Sequence, residues 1–472
     1  MHKAWKGTKP GDADVVALTD GALVTVMGTA EQSVSASSSG VAMFVEDMPV
    51  AQQLALGKAL PSGLINEQNT CYMNSVLEVM RAIPELRSSM DESAMVQRGG
   101  GGGGDVDAAL YLSLAKLFTR LDSSQNAVAP SEFLARLRAK NPLFGEFSQS
   151  GGYKQHDSEE FFSTLLPVLA NHLTAPSSKI NKLLSIPESD AAPNVLDTLF
   201  GLEMEVEMKC KECAEEPLVK RLEGARKLVA NIDGGPGRPV QVNYLNEGVM
   251  LGLAGGGDTE KRSEVLGRNA MWTKTSRVAR LPKYLFVHLS RFFWKATNNA
   301  PGDGPAGVPC KILKPVSFPA DKLDAMEFCN DRIKTVLSSE RKRADALKEA
   351  ASSSSAPSSS NVSSEKSSNA ASSSAAIDDI EMSTTSFPDS VGPFLPAGFL
   401  GYYELFGLVT HKGRDSKSGH YISWVRQSGS NWLIFDDDNV TPTDTKTVTD
   451  RLKGGGDDFM AYMLFYRAKS GE

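Results

Sequence analysis

The sequence predicts an α+β protein, a helical lobe followed by a mostly antiparallel sheet lobe. Three observations carry this expectation. Apolar residues recur at helical spacing from Cys71 to about Leu173. From Tyr284 to Tyr466 they alternate as in strands. The two patterns succeed each other along the chain instead of interleaving, which favours segregated layers with a cleft between them.

The elements follow in order. Asp14–Gly28 alternates like strands around an Asp20-Gly21 turn, and a Ser-rich stretch, Ser33–Gly40, follows it. Helices are predicted over Val76–Met80, Ala108–Leu121, Ser131–Lys140 and Ser158–Leu173. A run of glycines, Gly99–Gly104, separates the first two; no Gly-Lys-Ser/Thr follows it, so it reads as a flexible loop and not a phosphate cradle. Strands are predicted over Tyr284–Phe293, Leu405–Val409, Tyr421–Val425, Trp432–Phe435 and Ala461–Tyr466. The Ser/Ala tract Ala350–Ala376 has too few large apolar residues to offset its ordering entropy, and a disordered insert is expected at about 349–390.

Composition narrows the function classes. The 472 residues are 41% hydrophobic and 23% charged, enough for a sizeable core. A formal charge of −7 argues against nucleic-acid binding. No uninterrupted apolar stretch reaches the length of a membrane span, so no membrane partner is expected. Asp12, Asp14 and Asp20 follow the first basic residues, leaving no signal-peptide core. The five cysteines, an odd and sparse set, then suggest reduced thiols and a cytoplasmic and nuclear location.

Cys71 sits where a helix begins, with Asn69 or Thr70 available as cap and Pro84 near the stop. Unpaired N–H groups and the positive end of the helix dipole favour a thiolate there. Asn66, five residues earlier, can offer a side-chain amide to an oxyanion. On position alone, however, the commoner fate of an intracellular cysteine is a small buried hydrophobe.

A nucleophilic cysteine needs a base. His288 falls inside a strand, where a structural role is expected, and His172 ends a helix. His420 follows the polar stretch Lys412–Gly419 and opens the strand Tyr421–Val425, so it can reach into a cleft. Sixteen residues on, the next strand ends at Asp436, and a hairpin would bring the two side by side. Asp436 would then fix the ring tautomer and stabilise the imidazolium. Asp437 competes for that place, as a member of an acidic run of the kind that usually forms a solvated turn. The glycines of Lys412–Gly419 make a hinged, gating loop and an ordinary mobile hairpin loop equally good readings.

These residues resemble the signature boxes of the ubiquitin-specific protease family. Asn69-Thr-Cys71-Tyr-Met-Asn-Ser75 resembles its cysteine box; Gly419-His-Tyr421 with Phe435-Asp-Asp437 resembles its histidine box. Tyr153-Lys-Gln-His-Asp157-Ser-Glu-Glu-Phe161 looks like its Gln–Asp box, and Leu281–Leu285 through Arg291-Phe292 its central strand. Phe44–Met48, Arg268–Ala270, Arg291–Lys295, Phe435–Asp438 and Gly454–Asp457 are similar to the proteasome-associated branch, which carries an N-terminal ubiquitin-like domain. Met1–Glu31 resembles only the last part of such a domain.

The resemblance implies a papain-like fold with a helical thumb, a sheet palm and β-hairpin fingers. It implies a ubiquitin-like remnant at 1–31, a linker at 32–60 and a catalytic domain at 61–470. It implies Cys71 as nucleophile, His420 as base, Asp436 as orienter and Asn66 at the oxyanion. Gln155, Asp157, Phe292 and Tyr421 would line the channel for ubiquitin's C-terminal tail. Implied partners are ubiquitin, ubiquitinated proteins and the proteasome regulatory particle. No cofactor is implied. Cys210-Lys-Glu-Cys213 resembles half of a zinc knuckle, but no second Cys-x-x-Cys pair occurs, so no metal is expected. The chain departs from the family at Glu67-Gln68, where a small pair ending in Gly is usual. A turn needing positive φ there would be strained by about 1 kcal/mol or more, and an acid at 67 disfavours a neighbouring thiolate. That departure motivates a second reading, a catalytically impaired ubiquitin-binding scaffold.

Overall fold

The computed structural model describes residues 59–90, 105–148, 151–173, 195–233, 241–255, 258–296, 307–353, 391–392, 394–415 and 418–471. The expected ubiquitin-like remnant, nearly all of the linker, the glycine run and most of the Ser-rich insert lie outside them. All described residues belong to one compact unit, Pro49–Glu472.

The helical lobe is built on α1 (Cys71–Arg81), every residue of which is buried. Around it lie α2 (Pro84–Ser89), α3 (Val106–Ser123), α4 (Ser131–Lys140), α5 (Ser158–His172) and α6 (Val195–Phe200). Pro84 stops α1 and opens α2, where its missing N–H costs nothing. Arg81 anchors the end of α1. Its guanidinium donates to Glu78 and Asp122 and to the carbonyls of Ser62 and Leu121.

Two sheets follow. Four strands form the smaller one in the order β2-β1-β5-β4: β1 (Leu202–Cys210), β2 (Val219–Ala225), β4 (Asp258–Arg262) and β5 (Asn269–Arg280). The larger sheet runs β13-β12-β11-β10-β14-β6-β3, with β9 also paired to β10. Its strands are β3 (Leu228–Asn231), β6 (Tyr284–Ser290), β9 (Leu323–Asp324), β10 (Tyr402–Asp415), β11 (Ser418–Ser428), β12 (Asn431–Asp436), β13 (Asn439–Asp444) and β14 (Met460–Ala468). Among these strands only β3 and β6 pair in parallel. A separate hairpin joins β7 (Phe292–Ala296) to β8 (Gly307–Lys311). Three further α-helices lie among the described residues: α7 (Leu245–Leu253), α8 (Asp331–Ser353) and α9 (Thr445–Arg451).

The large sheet is buried on both faces, so alternate residues of one strand enter different cores. In β6, Tyr284 and Phe286 pack with the helical lobe, whereas Leu285, Val287 and Leu289 pack on the opposite side. This α+β layout, helices against a mixed sheet with a second, finger-like sheet, has the thumb, palm and fingers that the resemblance implied.

Three expectations need adjustment. The single strand expected over Tyr284–Phe293 is two, broken at Arg291. That side chain is fully buried and donates to the carbonyls of Ala461, Ile312, Lys314 and Lys453, which takes its residue out of the ladder. The stretch Lys412–Gly419 is not a long loop: β10 continues to Asp415, and Lys412 pairs with His420 across the hairpin. The helix α8 runs to Ser353, past the expected start of the insert.

Candidate active site

Cys71 is the first residue of α1 and is 2% exposed. Thr70 occupies the cap position, yet its side chain does not cap the helix. Its hydroxyl turns back to accept from the Glu67 N–H at 2.9 Å and to meet Asn66 Oδ1. Asn69 is also diverted, donating to the Tyr153 carbonyl at 2.9 Å. The N-terminus beside Cys71 is thus left without a side-chain cap, the condition in which its dipole acts most directly on a nearby sulfur.

The turn before it is strained as the sequence implied. Gln68 and Asn69 have φ of 63° and 62°, a region that favours glycine. Glu67 is turned away, its carboxylate accepting from the Ser131 hydroxyl.

His420 comes from the opposite lobe, near the start of β11. Pairing of β11 with β12 sets Ser423 against Phe435 and carries Asp436 to the same edge. His420 Nε2 lies 2.6 Å from Asp436 Oδ1. With Nε2 engaged, Nδ1 is the ring nitrogen left to face Cys71. Cys71, reinforced by Asp436, pushes His420 up to about 9 against the opposing effect of burial.

Asp437 is no solvated turn. It takes a φ of 54°, accepts from Asn66 Nδ2 at 2.8 Å and from Asn74 Nδ2 at 2.8 Å, and through its carbonyl receives the Leu64 N–H. Burial raises the Asp437 carboxyl above its usual range, while the two amides act in the other direction. Gly63 is required alongside, because a Cβ there would stand 2.3 Å from the Asp437 carbonyl oxygen. Asn66 Oδ1 accepts from the Thr70 N–H, which fixes the amide and leaves its second N–H for another acceptor.

The residues expected to line a tail channel divide. Gln155 is nearly buried and its Nε2 has no partner among the described residues. Phe292 is half-buried and meets Tyr462 edge-on at 5.0 Å. Asp157 caps α5 through the N–H groups of Glu159 and Glu160, and both its oxygens receive the Tyr462 hydroxyl. Its carboxylate is therefore committed inward. Tyr421 is fully buried and packs on the His411 ring at 4.5 Å.

Comparison with known proteins decides the family. The family description "Ubiquitin carboxyl-terminal hydrolase" matches residues 62–466. Relatives include Ubiquitin carboxyl-terminal hydrolase 6 of Arabidopsis thaliana, 34% identical over 97% of this chain and 88% of the relative. Ubiquitin carboxyl-terminal hydrolase 6 of Schizosaccharomyces pombe is 32% identical over 96% and 87%. Ubiquitin carboxyl-terminal hydrolase 14 of Caenorhabditis elegans is 29% identical over 87% and 73%. The chain belongs to the ubiquitin carboxyl-terminal hydrolase family.

As a member of that family it is a thiol-dependent cysteine peptidase that hydrolyses ubiquitin conjugates. In this hydrolase two supporting residues escaped the sequence reading. Asn74 belongs to the quoted cysteine box, three residues after Cys71, and that spacing put both on one helix face. His411 stood nine residues before His420, with Gly413 just beyond it as the only signal. The hydrolase's fingertip is closed by carboxylates. Glu216 accepts from the Ser263 hydroxyl and two backbone N–H groups, and Glu212 from Met271 N and Arg268. Among the described residues, the one grouping of three ligand-type side chains is His420, Asp436 and Asp437, which belongs to the site itself.

Proposed function

We propose that Cys71 is the nucleophile of this hydrolase and His420 its base. The Cys71 thiolate attacks the carbonyl carbon of ubiquitin's C-terminal Gly, and His420 holds the thiol proton. That proton passes to the departing amine as the C–N bond breaks, leaving a thioester. Water, deprotonated by His420, then releases the ubiquitin carboxylate and restores the thiol. Asp436 orients the ring and stabilises its charged form. Asn66, steadied by Asp437, directs its remaining N–H at the oxyanion; one such donor is worth about 3–4 kcal/mol. Gln155 and Phe292 meet the tail, while Asp157 and Tyr421 shape the wall behind them. The observation that carries this reading is the 2.6 Å contact of His420 with Asp436, with Cys71 the largest influence raising the same ring.

We further propose that the enzyme trims ubiquitin from proteasome-bound substrates in the cytosol and nucleus. The supporting observations are the sequence blocks similar to the proteasome-associated branch, Phe44–Met48 and Arg291–Lys295 among them. Hydrolysis of a ubiquitin C-terminal fluorogenic amide, with and without added 26S proteasome, tests both parts. Turnover by the wild type, none by Cys71→Ala, and acceleration by proteasome are expected. Identical turnover in both conditions would remove the proteasome from the account. Tight ubiquitin binding without turnover would replace the enzyme reading with that of a scaffold.

A further inference from the structure

Beneath the hairpin that delivers His420 lies a polar contact the proposed chemistry does not use. Lys311, the last residue of β8, is 7% exposed, and its Nζ lies 2.9 Å from His411 Nδ1 and 2.7 Å from the His411 carbonyl oxygen. His411, in β10, is fully buried, and its Nε2 lies 3.2 Å from the Ser418 carbonyl oxygen.

The chemistry of the partners fixes the proton. A lysine nitrogen facing a ring nitrogen and a carbonyl donates to both, so His411 Nδ1 accepts. The ring proton then stands on Nε2 and is donated to Ser418. Burial, with Lys311 alongside, pushes His411 down to about 3, so the ring is neutral and both nitrogens are used. We propose that Lys311 and His411 are positioning residues, a relay that ties the hairpin carrying Phe292 to the backbone leading into His420. The inference rests on the reading of His420 as the base.

The surroundings support this. Phe292 is the cross-strand partner of Lys311, and its ring meets His411 edge-on at 5.4 Å. At the other end, Ser418 lies two residues before His420, and the hairpin folds closely around the imidazole. A Cβ at Gly419, where φ is 122°, would stand 2.8 Å from His411 Nε2 and 2.0 Å from the Lys412 carbonyl oxygen. A Cβ at Gly413 would stand 3.1 Å from His411 Cε1. Both glycines thus let the backbone close over the ring, with its Nε2–H aimed at Ser418.

A purely structural pair does not need this chemistry. Lys311 is buried beside a second cation, Arg291, and burial pushes it down to about 7. A methionine would fill the same space without that penalty. The charged or titratable groups facing the pair are Arg291, beside Lys311, and His420 and Tyr421, beside His411.

Nitrogen NMR of the full-length wild type labelled at histidine is expected to show the His411 Nε2–H tautomer between pH 6 and 8. An Nδ1–H tautomer or an imidazolium there overturns the relay, whether or not any variant folds. Lys311→Met, His411→Phe and the double variant are then reacted with a ubiquitin C-terminal electrophile. Each single variant should lose roughly 10- to 100-fold in the maximal rate of adduct formation, as expected for a misplaced reacting group. Half-saturation should change far less, and the double variant should lose no more than the worse single. Additive losses, or full reactivity in folded Lys311→Met, contradict the relay. Wild-type labelling at Cys71 is the control: its presence with unaffected variants fails the relay alone, whereas its absence fails the base assignment too.

Discussion

Asp437 holds Asn66 and Asn74 with its two carboxylate oxygens, each at 2.8 Å, joining the tip of the β12–β13 hairpin to the turn before Cys71 and to α1. The neighbouring Asp436 instead faces His420 at 2.6 Å. In the proposed mechanism these two adjacent acids serve opposite sides of one reaction, one the base and the other the oxyanion amide.

Their substitutions should separate accordingly. Asp436→Asn is expected to lower kcat by on the order of 10²-fold or more, as loss of a ring-orienting carboxylate does. Because it also removes one of the groups raising His420, it should move the alkaline limb of the kcat/KM profile to lower pH. Asp437→Ala should reduce kcat while leaving that limb in place, and should destabilise the fold, since Asn74 loses a partner. Steady-state pH profiles of both variants check this; indistinguishable profiles would contradict the division of roles.

Gln68 has φ of 63° without being glycine. Gln68→Gly relieves strain of about 1–2 kcal/mol, partly offset by about 0.5–1 kcal/mol of added unfolded-state entropy. A net gain of up to about 1.5 kcal/mol is expected in urea unfolding, with unchanged m. A loss would show that the glutamine is held there by contacts worth more than the strain.

The raised His420 predicts a pH signature in stability. Its folded value of about 9 exceeds the usual imidazole value, so the folded state binds the extra proton between roughly pH 6.5 and 9. The stabilisation is fully present below pH 6.5 and is lost as pH rises through 9. Cys71→Ala removes the largest cause of the shift. Over that window the thermal midpoint of the wild type should therefore fall more steeply than that of Cys71→Ala; parallel curves would refute the pairing.

The layers were legible because their periodicities are local. Leu202–Cys210, with Glu203, Glu205 and Glu207 between apolar residues, alternates strictly in burial, yet this finger strand was not among those expected. The order Cys71…His420…Asp436 was legible as chemistry. What could not be read was the use of side chains across long separations. Nothing near Asp157 in sequence announces Tyr462, which draws its carboxylate inward. Nothing near Thr70 announces that its hydroxyl serves Glu67 and Asn66 instead of capping α1. Arg291 reads as one more strand residue until its four carbonyl partners, Ala461 and Lys453 among them and far off in sequence, break the ladder.

Arg81 holds the far end of the helix that carries Cys71. With its guanidinium buried against Glu78, Asp122 and two carbonyls, Arg81→Met leaves the buried Glu78 without its cation. A destabilisation of roughly 3–5 kcal/mol is expected in denaturant unfolding. A much smaller loss would mean that Glu78, already pushed up to about 7 by burial, simply takes a proton.

The most direct measurement is covalent capture. A ubiquitin carrying an electrophile at its C-terminus is incubated with the wild type and with Cys71→Ala, and the adduct is located by peptide mass spectrometry. A single ubiquitin added at Cys71, absent from Cys71→Ala, is the result the account predicts. Labelling at another cysteine, labelling that survives in Cys71→Ala, or tight binding with no adduct would contradict it.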